Sequence, residues 1–297
     1  SNLLLLQILG ATEGRRMVRG DPPALVVASP LHLSQLVVRP EPEEGIFHVN
    51  AGLRQLPGLA TAQTSLDADA DRYDVEFLVK DGPPEKPGSA SPESAVRSVR
   101  IHDQQMNVSA PLPVGNPRHW TPDSPVLYTI QATLRRNDKV VDQLICSAGF
   151  AQGSIKEGRF HRNGQWTDLF AFGIPAAMVR WVEDGAWAEV RSPKAESSAA
   201  ALPQTAGFVH TRRVAFWRNA LSALKAMGFN LVRFDDRAPS SILDAADRVG
   251  IYVEQRVAPR TRDEAPNAGL AGAYVIAEAV RRDQTHPSLA FWRVESA

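Results

Sequence analysis

The sequence predicts an antiparallel β-sandwich followed by a parallel sheet with crossover helices, a β then α/β chain of more than one domain. Three observations carry this. From residue 32 to about 162 short β-rich runs are separated by turn residues, with no helical period between them. After Gly164 the apolar period lengthens, and helices begin to alternate with short apolar runs. At 297 residues the chain is long enough for two cores of ordinary size.

In the first region, residues 32–39, 46–53, 73–80, 104–109, 126–136 and 139–148 read as strands. The run from Tyr73 to Lys80 alternates apolar and polar residues, as a strand with one buried face should. The last two runs flank Asn137-Asp138, a polar dipeptide suited to a tight hairpin. Six or seven such strands make a sandwich. Residues 81–92, rich in Pro, Gly and Ser, read as a long mobile loop. Residues 1–29 have no clear period and form a separate N-terminal segment, giving expected domains of 1–29, 30–152 and 153–297.

In the second region a strand is expected near 168–172. Val214, Trp217, Leu221, Leu224 and Met227 then recur at helical spacing, and Gly228 follows as a helix terminator. Residues 229–234 fit a buried strand, 241–249 a helix stopped by Gly250, 251–257 a strand, 269–283 a helix and 289–294 a strand. Residues 174–213 are a long insertion. Such β-α-β-α-β-α-β order implies parallel strands with right-handed crossovers.

Composition narrows the function. Hydrophobic residues make up 43% and charged residues 22%, as in a soluble globular protein. Lys plus Arg and Asp plus Glu both total 33, so no excess charge argues for nucleic acid or an anionic membrane. The apolar run at residues 3–9 is too short to span a bilayer. The single cysteine, Cys146, excludes an internal disulfide and a cysteine-cluster metal site. His161, His210 and His286 lack metal-ligand spacing, and no cofactor is implied. Asp67, Asp69 and Asp71 alternate as at the start of a calcium loop. The Gly and Glu that such a loop needs are absent, so the segment reads as a solvated turn.

Three stretches carry a resemblance. The first is His119-Trp120-Thr121-Pro122-Asp123-Ser124-Pro125-Val126-Leu127-Tyr128-Thr129, followed by Gly149-Phe150 and by Asn163-Gly164. The second is Gly228-Phe229-Asn230-Leu231-Val232-Arg233, followed by Asp247-Arg248-Val249-Gly250-Ile251-Tyr252-Val253. The third is His286-Pro287-Ser288-Leu289-Ala290-Phe291-Trp292. In this order and spacing they resemble the family 2 glycoside hydrolases, which include β-galactosidases, β-glucuronidases and β-mannosidases. The resemblance implies an immunoglobulin-like sandwich followed by the first half of a (β/α) TIM barrel, a partial barrel of four strands where eight are needed to close. It also implies a carbohydrate ligand and leaves the compartment unknown, with a soluble bacterial protein, periplasmic or secreted, as the expectation. The jelly roll that precedes the sandwich in that family has no counterpart here, which favours a piece of something larger.

The same resemblance locates where catalytic residues belong. Retaining glycosidases use two carboxyl groups about 5–5.5 Å apart, one as acid/base and one as nucleophile. The family acid/base is the Glu of a "WSLGNE" sequence ending the fourth barrel strand. Aligned from Trp292, that Glu falls on Ala297, whose methyl group transfers no proton. Glu295, two positions earlier and on the same strand face, is the substitute candidate, about 6–7 Å further down the barrel. The family nucleophile belongs to a later strand. Arg233 matches an arginine that supports that nucleophile; its other reading is an ion pair with Asp235 or Asp236.

The end of the first barrel strand, Leu169 to Pro175, offers no polar side chain to a sugar hydroxyl. Trp181, Trp187 and Trp292 are the aromatic candidates for stacking on sugar; for Trp181 and Trp187, covering the barrel mouth is equally open. His286 reads as a structural hydrogen-bonder.

The expectation is therefore a catalytically inactive, carbohydrate-associated binding or scaffold protein. The alternatives are an active β-glycosidase whose site is completed by further sequence or a partner chain (a second copy or a different one), and a protein-interaction module.

Overall fold

The computed structural model describes residues 31–55, 72–82, 95–101, 105–190, 206–257 and 268–294. The N-terminal segment, the aspartates at 67, 69 and 71, most of the 81–92 loop, Glu295 and Ala297 lie outside them.

The first domain is a sandwich of two antiparallel sheets. One has the order β1 (Leu31–Glu41), β2 (Ile46–Gln55), β5 (Asn107–Pro113); the other runs β4 (Ala95–Arg100), β3 (Tyr73–Asp81), β6 (Tyr128–Arg136), β7 (Lys139–Ala148). Alternating side chains from both sheets meet in one core, with Phe47, Val75, Phe77, Val108, Leu112, Ile130 and Leu134 fully buried. Phe47 stacks on Phe150 at 4.0 Å between ring centres. Asn137 and Asp138 turn from β6 to β7 with φ of 50° and 63°, the positive values that a two-residue hairpin requires. Pro111 and Pro113 lie in β5, an edge of its sheet, where their missing N–H groups cost no ladder bond.

Strand β4 was not expected. Its Val96 and Val99 are separated by Arg97 and Ser98, which breaks the two-residue alternation. Pairing with β3 on one side supplies the order that the local pattern lacks.

A small antiparallel meander, β8 (Gly153–Lys156), β9 (Arg159–Arg162) and β10 (Gln165–Trp166), links the sandwich to a parallel sheet. That sheet has the order β11 (Ala171–Ile174), β12 (Leu231–Phe234), β13 (Tyr252–Val257), β14 (Leu289–Val294), all parallel. The strands follow one another in sequence without a reversal of order. A doubly wound sheet would reverse; the first half of a barrel does not.

Four helices pack on the outer face: α1 (Ala176–Val190), α2 (Ala206–Ala226), α3 (Ser240–Val249) and α4 (Ala268–Asp283). Helix α1 lies within the expected insertion. Its seat is tertiary. Glu183 accepts hydrogen bonds from the Trp217 indole at 3.0 Å and the Ser241 hydroxyl at 3.1 Å, and pairs with Arg213 at 2.9 Å. The core under these helices includes Trp217, Leu221, Val232, Phe234, Ile242 and Val253.

Candidate functional site

The two ends of the parallel sheet differ in what they hold. At the end where β12 and β13 begin, the sandwich packs against it. Trp120, Leu127, Phe160, Leu231 and Tyr252 form one buried cluster, joined by Phe291. The Trp120 indole N–H donates to the Asp247 carbonyl at 2.8 Å. Arg162 lies over both Trp120 and Tyr252, 5.3 and 5.7 Å from the ring centres, and its guanidinium donates to the Pro287 carbonyl. Burial pushes the Arg162 pKa down to about 10, with Tyr252 and Asp247 opposing the shift.

Two glycines allow this approach. Gly250 caps α3 with φ of 73°, and a Cβ there would stand 2.2 Å from the Pro122 carbonyl oxygen. A Cβ on Gly149 would stand 2.9 Å from the Pro287 ring. Lys225 donates to both the Pro122 and Val249 carbonyls, at 2.5 and 2.8 Å.

The opposite end, where the strands finish, is where a barrel enzyme places its chemistry. Parallel register puts Arg233 beside Glu254. Their side chains pair at 3.1 Å, an ion pair of the kind expected for Arg233, with Glu254 in place of Asp235 or Asp236. Arg293 then bridges, 3.7 Å from Glu254 and 3.5 Å from Asp235, and donates to the Phe234 carbonyl at 3.3 Å. Both Glu254 oxygens thus face guanidinium nitrogens. This carboxylate accepts charge-assisted contacts from both sides.

Beside it β11 contributes only apolar groups. Phe172 is 37% exposed and edge-on to Phe229, and Phe170, just before the strand, is 60% exposed.

Trp181 stands on α1 at 71% exposure. Trp187 lies on the same helix. Trp292 pairs in register with Gln255 and alternates with Phe291 and Arg293, so it occupies the face opposite Arg293. Gln255 is buried on that outer side, accepting from the Ala238 N–H at 3.0 Å and donating to Asp283 at 2.7 Å.

Asp244, Asp247 and His286 are the described acidic and imidazole groups close enough to share an ion, their ligand atoms lying within 4.8 Å of one another. The donors are spent inside the protein. Asp247 pairs with His286 at 2.6 Å and accepts from the Ser288 N–H at 3.0 Å, while Asp244 pairs with His210 at 2.8 Å. This cluster, which spacing alone does not reveal, lies beside the sandwich and away from the strand ends. A cavity of about 230 Å³ on the sandwich is lined by Lys80, Asp81, Asn116, Arg118 and Tyr128, and the Arg118–Asp81 pair at 2.5 Å lies in its wall. Among the described residues no helix is long and apolar enough to cross a membrane.

The family model described as Glycosyl hydrolases family 2 matches residues 47–150. A putative beta-glucuronidase of Formosa agariphila is 24% identical over 265 residues, which are 83% of this chain and 22% of that protein. Among solved structures, a glycosyl hydrolase family 2 member from Bacteroides cellulosilyticus superposes with a TM-score of 0.59 at 20% identity, covering 91% of this chain and 32% of that one. The beta-glucuronidase of Parabacteroides merdae gives 0.61 at 17%, covering 89% and 28%. These likenesses span the sandwich and the parallel sheet together, and the chain spans about a fifth of the curated relative and about a third of these structures.

Proposed function

We propose, for a chain that is glycosyl hydrolase family 2-like, that it acts as a carbohydrate-associated scaffold and hydrolyses no glycoside by itself. The observation that carries this is the engagement of Glu254. It is the carboxylate facing the open side of the sheet from β13, and Arg233 and Arg293 clasp it. Acid/base catalysis needs one carboxyl that gives and takes a proton, set across from a second that attacks the sugar. Around Glu254 the described strand ends supply guanidinium groups, phenylalanines and Asp235, which faces Arg293 at 3.5 Å. The family alignment, which puts Ala297 at the acid/base position, supports the same reading. Trp181, exposed on α1, is the stacking surface for sugar, with Trp187 on the same helix as a further aromatic candidate; Trp292 lies on the helix-covered face with Gln255 and takes no part in this reading.

A second reading has its own support. The chain spans 22% of the curated relative and 28% of the Parabacteroides structure, so a β-glycosidase site completed by further sequence or by a partner chain is consistent with these strand ends. In that case Arg233 orients a carboxylate supplied from elsewhere and Glu295 serves as the acid.

Hydrolysis of a panel of nitrophenyl β-glycosides, β-glucuronide and β-galactoside included, separates the two when run with the solution mass by light scattering. A monomer with no turnover supports the scaffold. An assembly whose turnover is abolished by Glu295→Gln overturns it.

A further inference from the structure

The segment leading into β14 is where sandwich and barrel sheet are tied together, and a histidine sits at its centre. The Thr285 hydroxyl lies 3.4 Å from both the N–H and the carbonyl of Val38 on β1. Pro287 packs on Gly149 and receives the Arg162 guanidinium on its carbonyl. Between these two contacts His286 turns inward. Its side chain is 13% exposed, and Nδ1 lies 2.6 Å from Oδ2 of Asp247, a carboxylate 1% exposed. The other Asp247 oxygen takes the Ser288 N–H, and the backbone carbonyl of the same residue takes the Trp120 indole. Asp247 therefore holds the 286–288 turn with its side chain and the sandwich with its backbone.

We propose that His286 is a proton-operated latch: as imidazolium between Asp247 and Asp244 it holds the sandwich against the barrel sheet, and on losing its proton it releases that junction. The charges around it are Asp244, Asp247 and Arg248 on α3, His210 on α2, Asp283 at the end of α4 and, across the Pro287 carbonyl, Arg162 on β9. With the proton in place, the imidazolium lies among three carboxylates, with Arg248 and Arg162 as the arginines nearby. Without it, Asp247 keeps the Ser288 N–H and a neutral imidazole contact, and the Asp244 and Asp247 carboxyl groups lose the positive charge between them in a poorly solvated place.

Burial alone would lower the His286 pKa. Asp247, by charge and hydrogen bond, with Asp244 and Asp283, outweighs it and raises the pKa above the ordinary 6.5. A raised folded-state pKa means the stabilisation is fully present below pH 6.5 and is lost as pH rises through the folded value. On the acid side burial raises the Asp244 pKa, but hydrogen bonding to His210 and the nearby cations lower it on balance below its ordinary 3.8. Its contribution persists until pH falls through that lowered value. The latch is closed from about pH 4 to 6.5 and opens above.

Hydrogen–deuterium exchange of the whole chain at pH 6.0 and 8.5, corrected for intrinsic rates, tests this. Peptides covering Val38, residues 118–124 and residues 283–289 are expected to lose protection about fivefold at the higher pH. Strand β6, inside the sandwich, should not. His286→Gln should erase the difference and Asp244→Asn should reduce it. An unchanged pH ratio in His286→Gln, or equal loss in β6, overturns the latch. Should the variant not fold, the imidazole proton resonance of His286 in the native chain decides: titration above 6.5 supports it, and titration at or below 6.5 overturns it.

Discussion

The two ends of one parallel sheet follow opposite rules. Where β12 and β13 begin, aromatic rings, a buried arginine and backbone carbonyls pack between the sandwich and the parallel sheet, and Trp120 is fully buried. Where the strands end, Arg233, Glu254, Arg293 and Asp235 form a chain of ion pairs, and the Arg233 side chain is still 46% exposed. Stability is concentrated at the first end, and chemistry belongs at the second. The likeness to glycosyl hydrolase family 2 is matched over residues 47–150, the sandwich, and a shared fold does not decide activity.

Replacing Trp120 by alanine tests that contrast most severely. The indole fills the junction and donates to the Asp247 carbonyl, so its loss leaves a large cavity and an unmet acceptor. The expected destabilisation is about 3–5 kcal/mol, read as a shift in the urea midpoint. A loss below about 1 kcal/mol would mean that the sandwich and the sheet do not depend on one another.

Gly250→Ala comes next. Both the left-handed backbone and the Pro122 carbonyl oppose a side chain there. The cost should be about 2–3 kcal/mol, more than the roughly 1 kcal/mol expected of a left-handed position with open space around it. Comparing it with Gly228→Ala, where φ is 93° and no atom lies within 4 Å, isolates the part due to contact with the sandwich.

The sequence made the packed end more legible than the open one. Strand β14, helix α3 and the Asn137-Asp138 hairpin were readable because each is set by its own residues: an apolar run, a helical period with a terminating glycine, a polar dipeptide that tolerates positive φ. Helix α1 was not, since its fixed point is Glu183 reaching Trp217, 34 residues away. Which carboxylate pairs with Arg233 was not readable for a related reason. Asp235 and Asp236 are near in sequence, but neighbours on one strand are not cross-strand partners, and parallel register brings Glu254 alongside. His286 could be read as a structural hydrogen-bonder from its place before Pro287; that its acceptor is Asp247, 39 residues earlier, required the fold.

At the open end the expected effects are smaller. Arg233→Gln removes a half-exposed partner from Glu254, and since Arg293 still contacts that carboxylate, the stability loss should be below about 1 kcal/mol. The loss should also shrink in high salt, unlike that of Trp120→Ala. A cost of several kcal/mol would place this ion chain among the structural parts of the sheet and erase the distinction between its two ends.

Trp181→Ala gives the smallest expected change in stability, within about 0.5 kcal/mol, because the ring is mostly in solvent. Its value lies in a second readout. If the exposed face of α1 stacks on sugar, retardation of the chain in gels containing soluble β-glucan or β-galactan should weaken by about tenfold in affinity, the result of losing roughly 1.4 kcal/mol of contact. A variant that folds equally well and migrates like the native chain would remove Trp181 from the binding surface. A stability loss above about 1 kcal/mol would show instead that the ring covers a part of the protein, the role left open for it beside sugar stacking. The two measurements together decide between cover and platform, which neither does alone.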